Sequence, residues 1–334
     1  MKGAKLSLFF GAVLITLAAA GAAYNILSLR HYREIAGVPG KIYDVDGYNM
    51  HLYCTGEGSP TLILDAGLGD SWQAWIPVQS GLSKITRTCS YDRAGLGFSD
   101  GRPGLRDSEN ISRQLHGLLQ HAGITEPIIL AGHSMSGMHI RKYAQNYPQD
   151  VVGLVFVDAS TPHQEQIFND PSLFRRFTEE ARYRLWVWEG LIGIHRLMGN
   201  CTWVHQPGDE AYDPYLAWLN ADTCTPSHLI FGGREFDAIP ANGDETQGAG
   251  PYAGLPILVI SRDSEGPKAD PVWNGMQEDL KRLSNASHRV IAEKSGHMIM
   301  YDRPELVVRL IGEFVQQVRD KYEPPEGLGS TTKE

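Results

Sequence analysis

Positive charge is in short supply. Thirty Lys and Arg stand against 39 Asp and Glu, a formal net charge of −9, and no long basic run occurs. That argues against a nucleic-acid partner. The mild acidity describes a soluble surface and names no substrate. The chain also lacks an internal repeat, a phosphate-binding glycine loop and histidines at metal-ligand spacing. Gly95-Leu96-Gly97 reads as a turn, not a dinucleotide fingerprint. The expectation is therefore no cofactor and no metal. Cysteine is scarce as well: Cys54, Cys89, Cys201 and Cys224 are the only four in 334 residues.

One stretch lacks charge altogether. From Leu6 to Leu29 there are 24 uncharged residues. As a helix they measure about 36 Å, enough to cross a hydrocarbon core of ~30 Å. Lys2 and Lys5 precede the stretch and Arg30 and Arg33 follow it, so basic residues do not fix its orientation. An uncleaved membrane anchor over 1–35 is the first reading, because signal-peptide apolar regions run only about 7–15 residues. Cleavage in "AAAGAA" (18 to 23) and secretion is the alternative. An even cysteine count beside an export segment favours disulfides.

Beyond residue 40 the chain reads as short elements. "KIYDVDGYNMHLYC" predicts a hairpin turning at Asp46-Gly47. "TLILDAG" and "ITRTCSYD" read as strands, the first buried on both faces. "ISRQLHGLLQHAG" has helical apolar spacing, "PIILAGHS" is a strand, "GMHIRKYAQNYP" a helix and "VVGLVFVDAS" a strand. This alternation implies a doubly wound α/β fold with a mostly parallel sheet. It breaks at 161–250, which holds Trp186, Trp188, Trp203 and Trp218 but no clear buried strand, and resumes at "LPILVIS". The implied organisation is one core over 40–160 and 251–322, an insertion over 161–250 and a polar, disordered tail at 323–334.

"ILAGHSMSGMHI" (129 to 140) carries two serines where a strand meets a helix. A nucleophile at such an elbow needs small residues two before and two after it. Ser134 has Gly132 and Ser136 there; Ser136 would have Ser134 and Met138. Ser134 is the candidate nucleophile, in a G-x-S-x-S variant of the usual pattern.

Four segments resemble the α/β-hydrolase superfamily, in its order: "LDAGLGDSWQAW", "SYDRAGLGFSD", "AGHSMSG" and "SGHMIMYDRPELV". The resemblance covers about residues 40 to 320. It implies the α/β-hydrolase fold with a helical cap at 161–250, Ser134 as nucleophile, His297 as base, and an oxyanion hole from the N–H groups of Leu68 and Met135. It places the acid after the strand that follows the cap, which makes Asp263 the first candidate. Asp158 in "VFVDAS" and then Asp270 in "ADPV" (with Glu265) are the alternatives. His133, Asp92 and Arg93 read as structural. The cap aromatics could line an acyl pocket or form the cap's own core. In this superfamily's sheet the second and fourth strands are neighbours, which implies bonds Cys54–Cys89 and, within the cap, Cys201–Cys224. Such bonds put the catalytic domain outside the cytoplasm. The expected activity is hydrolysis of apolar carboxylic esters. A serine nucleophile argues against the aspartate-dependent enzymes of this fold. Thioesterase, peptidase, carbon–carbon bond hydrolase and a catalytically silent binding module are the alternatives.

Overall fold

The computed structural model describes residues 2–164, 173–202, 216–263 and 270–321. An apolar helix, α1 (Lys2–Ala36), leads into the hairpin β1 (Lys41–Val45) and β2 (Tyr48–Thr55). Asp46 and Gly47 at its turn have φ of 54° and 82°, the positive values that a two-residue primed turn requires. Then follow β3 (Thr61–Asp65), α2 (Ile76–Leu82), β4 (Thr88–Tyr91), α3 (Ser108–His121), β5 (Ile128–His133), α4 (Ser136–Asn146) and β6 (Val151–Val157). Among the described residues the helices α5 (Leu173–Leu191), α6 (Ile194–Leu197), α7 (Leu216–Asp222), α8 (Pro226–Asp237) and α9 (Ile239–Thr246) come next. The chain closes with β7 (Ile257–Arg262), α10 (Pro271–Lys281), β8 (Ser287–Ala292), α11 (Ile299–Asp302) and α12 (Pro304–Lys321).

The strands form one sheet in the order β1-β2-β4-β3-β5-β6-β7-β8. Pairing from β4 to β8 is parallel, and β1–β2 and β2–β4 are antiparallel. β3 and β5 are buried along their whole length, because helices cover both faces. Alternation along β3 divides the core. Ile63 packs on one face with Leu115 and Leu118 of α3 and Tyr143 of α4. Leu62 and Leu64 face the other side with Val78 of α2 and Ile311 and Phe314 of α12. This is the expected α/β-hydrolase fold.

Both disulfides form as implied by the resemblance. Cys54 and Cys89 stand directly opposite across β2 and β4. Cys201 and Cys224 are 5.3 Å apart at Cα and staple the inserted helices. Among the described residues that insertion contains no strand. Its aromatics do not share one role. Trp218 packs against Trp72 with ring centroids 5.3 Å apart, whereas Trp186 and Trp188 are exposed. Trp203 lies outside the described residues.

α1 is not a free tail. Its second half packs on the inserted helices through Gly21, Asn25, Ser28, Leu29, Tyr32 and Ala36, a helical stripe less exposed than its surroundings. A Cβ on Gly21 would meet the Ile192 carbonyl oxygen at 2.1 Å, so only glycine permits that approach. Asn25 is 1% exposed. Its amide donates to the carbonyls of Gly190 (3.2 Å) and Cys224 (2.9 Å), and its oxygen accepts from Arg196 Nε (2.7 Å). Trp218 Nε1–H donates to the Ala36 carbonyl at 2.8 Å.

Candidate active site

The C-terminal ends of the parallel strands gather the candidate residues. β5 ends at His133, opposite Val157 of β6. Ser134 and Asp158 therefore leave the sheet side by side. Both have left-handed backbone, φ 53° and 42°, a strain that persists only where surrounding contacts enforce it. Here Ser134 N–H donates to the Val157 carbonyl, Ser160 N–H to the Ser134 carbonyl and Asp158 N–H to the Ile260 carbonyl.

The elbow is crowded at the expected places. A Cβ on Gly132 would lie 2.8 Å from Ser136 Oγ, and one on Gly137 2.6 Å from the Ser160 carbonyl oxygen. Gly137 thus allows the close approach on the far side of the turn. Ser136 is fully buried, and its hydroxyl donates toward the carbonyls of Asp65 and His133 at 2.9 Å each.

His297, in the loop after β8, joins the two strand ends. Its Nε2 is 2.9 Å from Ser134 Oγ. Its Nδ1 is 2.6 Å from Asp158 Oδ2. Asp263, the first candidate for the acid, is not on the imidazole; its carboxylate instead accepts from Lys294 N–H at 3.4 Å. Asp270 pairs with Arg262 at 3.1 Å and caps α10 through Trp273 N–H. The geometry therefore corrects the order of candidates. Asp263 follows β7, one strand further from the nucleophile than Asp158. Glu265 lies outside the described residues.

Asp158 is held more firmly than its sequence suggested. Its Oδ1 accepts from Trp273 Nε1–H (2.8 Å) and Arg262 N–H (3.0 Å). Burial alone would raise its carboxyl. The hydrogen bond and charge of His297, with the Arg262 and Trp273 donors, outweigh burial and hold it below the usual carboxylate range. The Trp273 ring stands edge-on to His297 with centroids 5.4 Å apart. Sequence reasoning did not find Trp273 or Arg262 in this role. The spacing from "SRD" to "ADPVW" was the available signal.

His133 is a packing residue, as expected. Its Nε2 lies 2.9 Å from the His297 carbonyl. Burial, helped by the His297 charge, lowers its pKa to about 3, so it is neutral at physiological pH.

The loop Ala66–Asp70 carries Leu68. Arg93 holds it, donating to the carbonyls of Ala66 (2.7 Å) and Gly67 (2.6 Å) and to Asp65 Oδ1 (2.8 Å). Glu235 of α8 binds Arg93 at 2.7 and 2.8 Å and accepts from Gly69 N–H at 3.0 Å. Burial would raise Glu235; the Arg93 guanidinium overcomes it and brings the carboxyl to about 2. Arg93 is thus structural as read, and the structure it serves is this loop. Leu68 packs against the cluster of Met135, Met138 and Ile239. Serine, imidazole and carboxylate in such a relay can transfer a hydroxyl proton to the imidazole. Among the described residues no His, Cys, Asp and Glu cluster has a metal-binding arrangement.

Comparison with known proteins agrees with the sheet. A profile of the alpha/beta hydrolase family matches residues 62–310. An AB hydrolase superfamily protein of Gibberella zeae is 32% identical over 78% of this chain and 87% of the relative. Uncharacterized protein YbdG of Bacillus subtilis is 28% identical over 89% of this chain and 91% of its own length. Among solved structures, a thermophilic esterase from Thermogutta terrifontis superposes with TM-score 0.59 at 20% identity, covering 83% of this chain and 98% of that one. A membrane phospholipase A, a bacterial virulence factor, superposes with TM-score 0.62 at 21% identity, covering 96% and 100%. At these identities the two superpositions bear on the fold alone. The sheet order, the strand-to-helix elbow and a profile match over most of the length converge, and the chain belongs to the alpha/beta hydrolase family.

Proposed function

We propose that this hydrolase cleaves carboxylic esters of apolar substrates through an acyl-enzyme on Ser134. The observation that carries the reading is the hydrogen-bonded series Ser134, His297, Asp158 at the sheet edge. In this reading Ser134 Oγ attacks the acyl carbon as His297 Nε2 takes its proton. The imidazolium then protonates the leaving alcohol. Water, deprotonated by His297, releases the acid and restores the serine. Asp158 keeps the His297 proton on Nδ1 and stabilises the imidazolium. The N–H groups of Met135 and Leu68 receive the oxyanion. Each step uses groups of this chain. The helices between β6 and β7 form a cap over 161–250.

In the same proposal α1 is an uncleaved single-pass anchor with the catalytic domain outside the cytoplasm, where the two disulfides persist. The docking of Gly21 and Asn25 supports this reading. Cleavage within 18–23 would cut at or beside that contact.

A fluorophosphonate probe tests the mechanism. It should label wild type and Ser136→Ala but not Ser134→Ala, and a panel of esters of graded chain length should be turned over in the same pattern. Absence of label on Ser134 in folded protein would turn the reading into one of a binding module. Turnover of thioesters or peptides in preference to esters would change the substrate class and keep the mechanism.

A further inference from the structure

We propose that the inserted helices around Gly190–Met198 are seated in the headgroup layer of the bilayer that α1 crosses, and that the enzyme draws amphipathic long-chain esters from that layer. The proposal rests on α1 being a span and on Ser134 being the nucleophile.

Length decides the position of the membrane. A span needs about 20 residues for a hydrocarbon core of ~30 Å. Lys2 and Lys5 mark one end of α1. Ser7–Ala20 runs almost wholly exposed and is only about 21 Å long. That is too short to cross. Twenty residues counted from Leu6 end at Asn25, the residue locked to Gly190, Cys224 and Arg196. Tilt shortens the vertical rise further. The hydrocarbon boundary therefore lies level with Gly190–Gly193, and the protein surface there cannot stand away from the lipid.

That surface is built for the position. Leu185 (58% exposed), Trp188 (64%), Leu197 (67%) and Met198 (69%) flank the α1 contact. α1 itself is openly apolar before that contact, with Leu14, Ile15 and Leu17 exposed. Tryptophan is favoured at the lipid–water boundary. Arg30, exposed five residues beyond Asn25, falls in the headgroup layer. The occupant we commit to is a phospholipid bilayer.

The same seating brings lipid close to the site. α7 has α1 on one side and the loop beside Ser134 on the other. Trp218 of α7 donates to Ala36, and its carbonyl accepts from Gln73 Nε2 at 2.9 Å. Leu219 and Thr223 line a small cavity with Asp70, Gln73 and Tyr301. One short helix separates the anchor from that loop.

The test uses the full chain in phosphatidylcholine nanodiscs whose acyl chains are brominated near the headgroup. Tryptophan emission should be quenched, and Trp188→Phe should remove a large part of the quenched component. The combined variant Leu185→Asp, Trp188→Asp and Leu197→Asp should lose at least about tenfold of its turnover of a long-chain ester held in vesicles. Its turnover of a water-soluble short-chain ester, and its retention after an alkaline wash, should not change. No quenching from Trp188 overturns the seating. So does a cross-linked dimer in which Trp188 is buried against a second copy. Unchanged vesicle turnover overturns the substrate claim. If the combined variant loses soluble-ester turnover too, it has not folded properly, and the Trp188→Phe quenching decides. Wild type that quenches but cleaves neither ester would refute the hydrolytic reading and leave the seating intact.

Discussion

Asp158 carries φ 42° and accepts from three different residues, His297, Arg262 and Trp273. A non-glycine residue in that conformation costs about 1–3 kcal/mol, and the convergent donors offset it. Asp158→Asn keeps the size and places an amide on His297, favouring the wrong tautomer. We expect kcat to fall about 10³–10⁴-fold. Asp263→Asn and Asp270→Asn should stay within a few-fold, because neither carboxylate touches the imidazole. Comparable losses in all three variants would refute the assignment.

The contrast shows what a sequence can carry. The candidate serine was legible because an elbow is local: strand, small residue, serine and small residue fall within a few positions of one another. The acid was not. An aspartate follows β6 and another follows β7, and only the sheet order and the placement of His297 tell them apart.

Asp70 supplies a pH prediction at the same scale. Burial raises its carboxyl from 3.8 to about 6; Arg93, His228 and His297 pull it down and Glu235 pushes it up. A raised pKa in the folded state means that folding favours the protonated acid. That stabilisation is complete below pH 3.8 and is lost as the pH rises to about 6. Asp70→Asn should therefore match wild type near pH 3.5–4 and exceed it above pH 6 by up to about 2 kcal/mol, allowing for partial exposure. Denaturant melts across that range check it. A difference independent of pH would show that Asp70 does not titrate there.

At the scale of elements, α8 acts on the core through one carboxylate. Glu235 joins Arg93, which sits in the turn after β4, and Gly69 in the loop after β3. The partners are 142 and 166 residues away. No local pattern announces such a link, which is why Arg93 was recognisable only as a structural residue. Glu235→Gln removes one charge of a buried pair, at a cost of about 3–5 kcal/mol. Tm should fall on the order of 10 °C, and kcat should fall more than KM rises as the Leu68 loop loosens. The exposed Asp237→Asn on the same helix is the control. Equal melting of the two variants would deny Glu235 this role. The Cys54–Cys89 bond, in contrast, was foreseeable once the family's strand neighbours were recognised.

At the scale of the molecule, α1 and the inserted helices form one body. The apolar length of α1 is plain in the sequence, but its docking is not. Asn25 is one carboxamide in an apolar run, and its partners lie 165 to 199 residues away. Asn25→Leu leaves the Arg196 donor and two buried carbonyls without it, and an orphaned buried group costs about 1–3 kcal/mol. The variant should melt several degrees lower in detergent micelles. Thr16→Leu should not, since Thr16 is exposed and bonds only within its own helix at Ala12. Matching melting curves would mean that the docking adds nothing to stability.

That separation along the chain also sets an order of assembly. Asn25 leaves the ribosome 199 residues before Cys224. At ~5–20 residues per second that is an interval of about 10–40 s. If α1 is the anchor proposed above, it enters the bilayer during that interval, before the groups that will hold Asn25 have been synthesised. Its carboxamide must meanwhile be served by water, by headgroups or by another nascent helix, since such side chains pair readily within membranes. On the proposed topology, docking of α1 is a late event in biogenesis, and crowded translocation is the stage at which copies of this chain are expected to cross-pair.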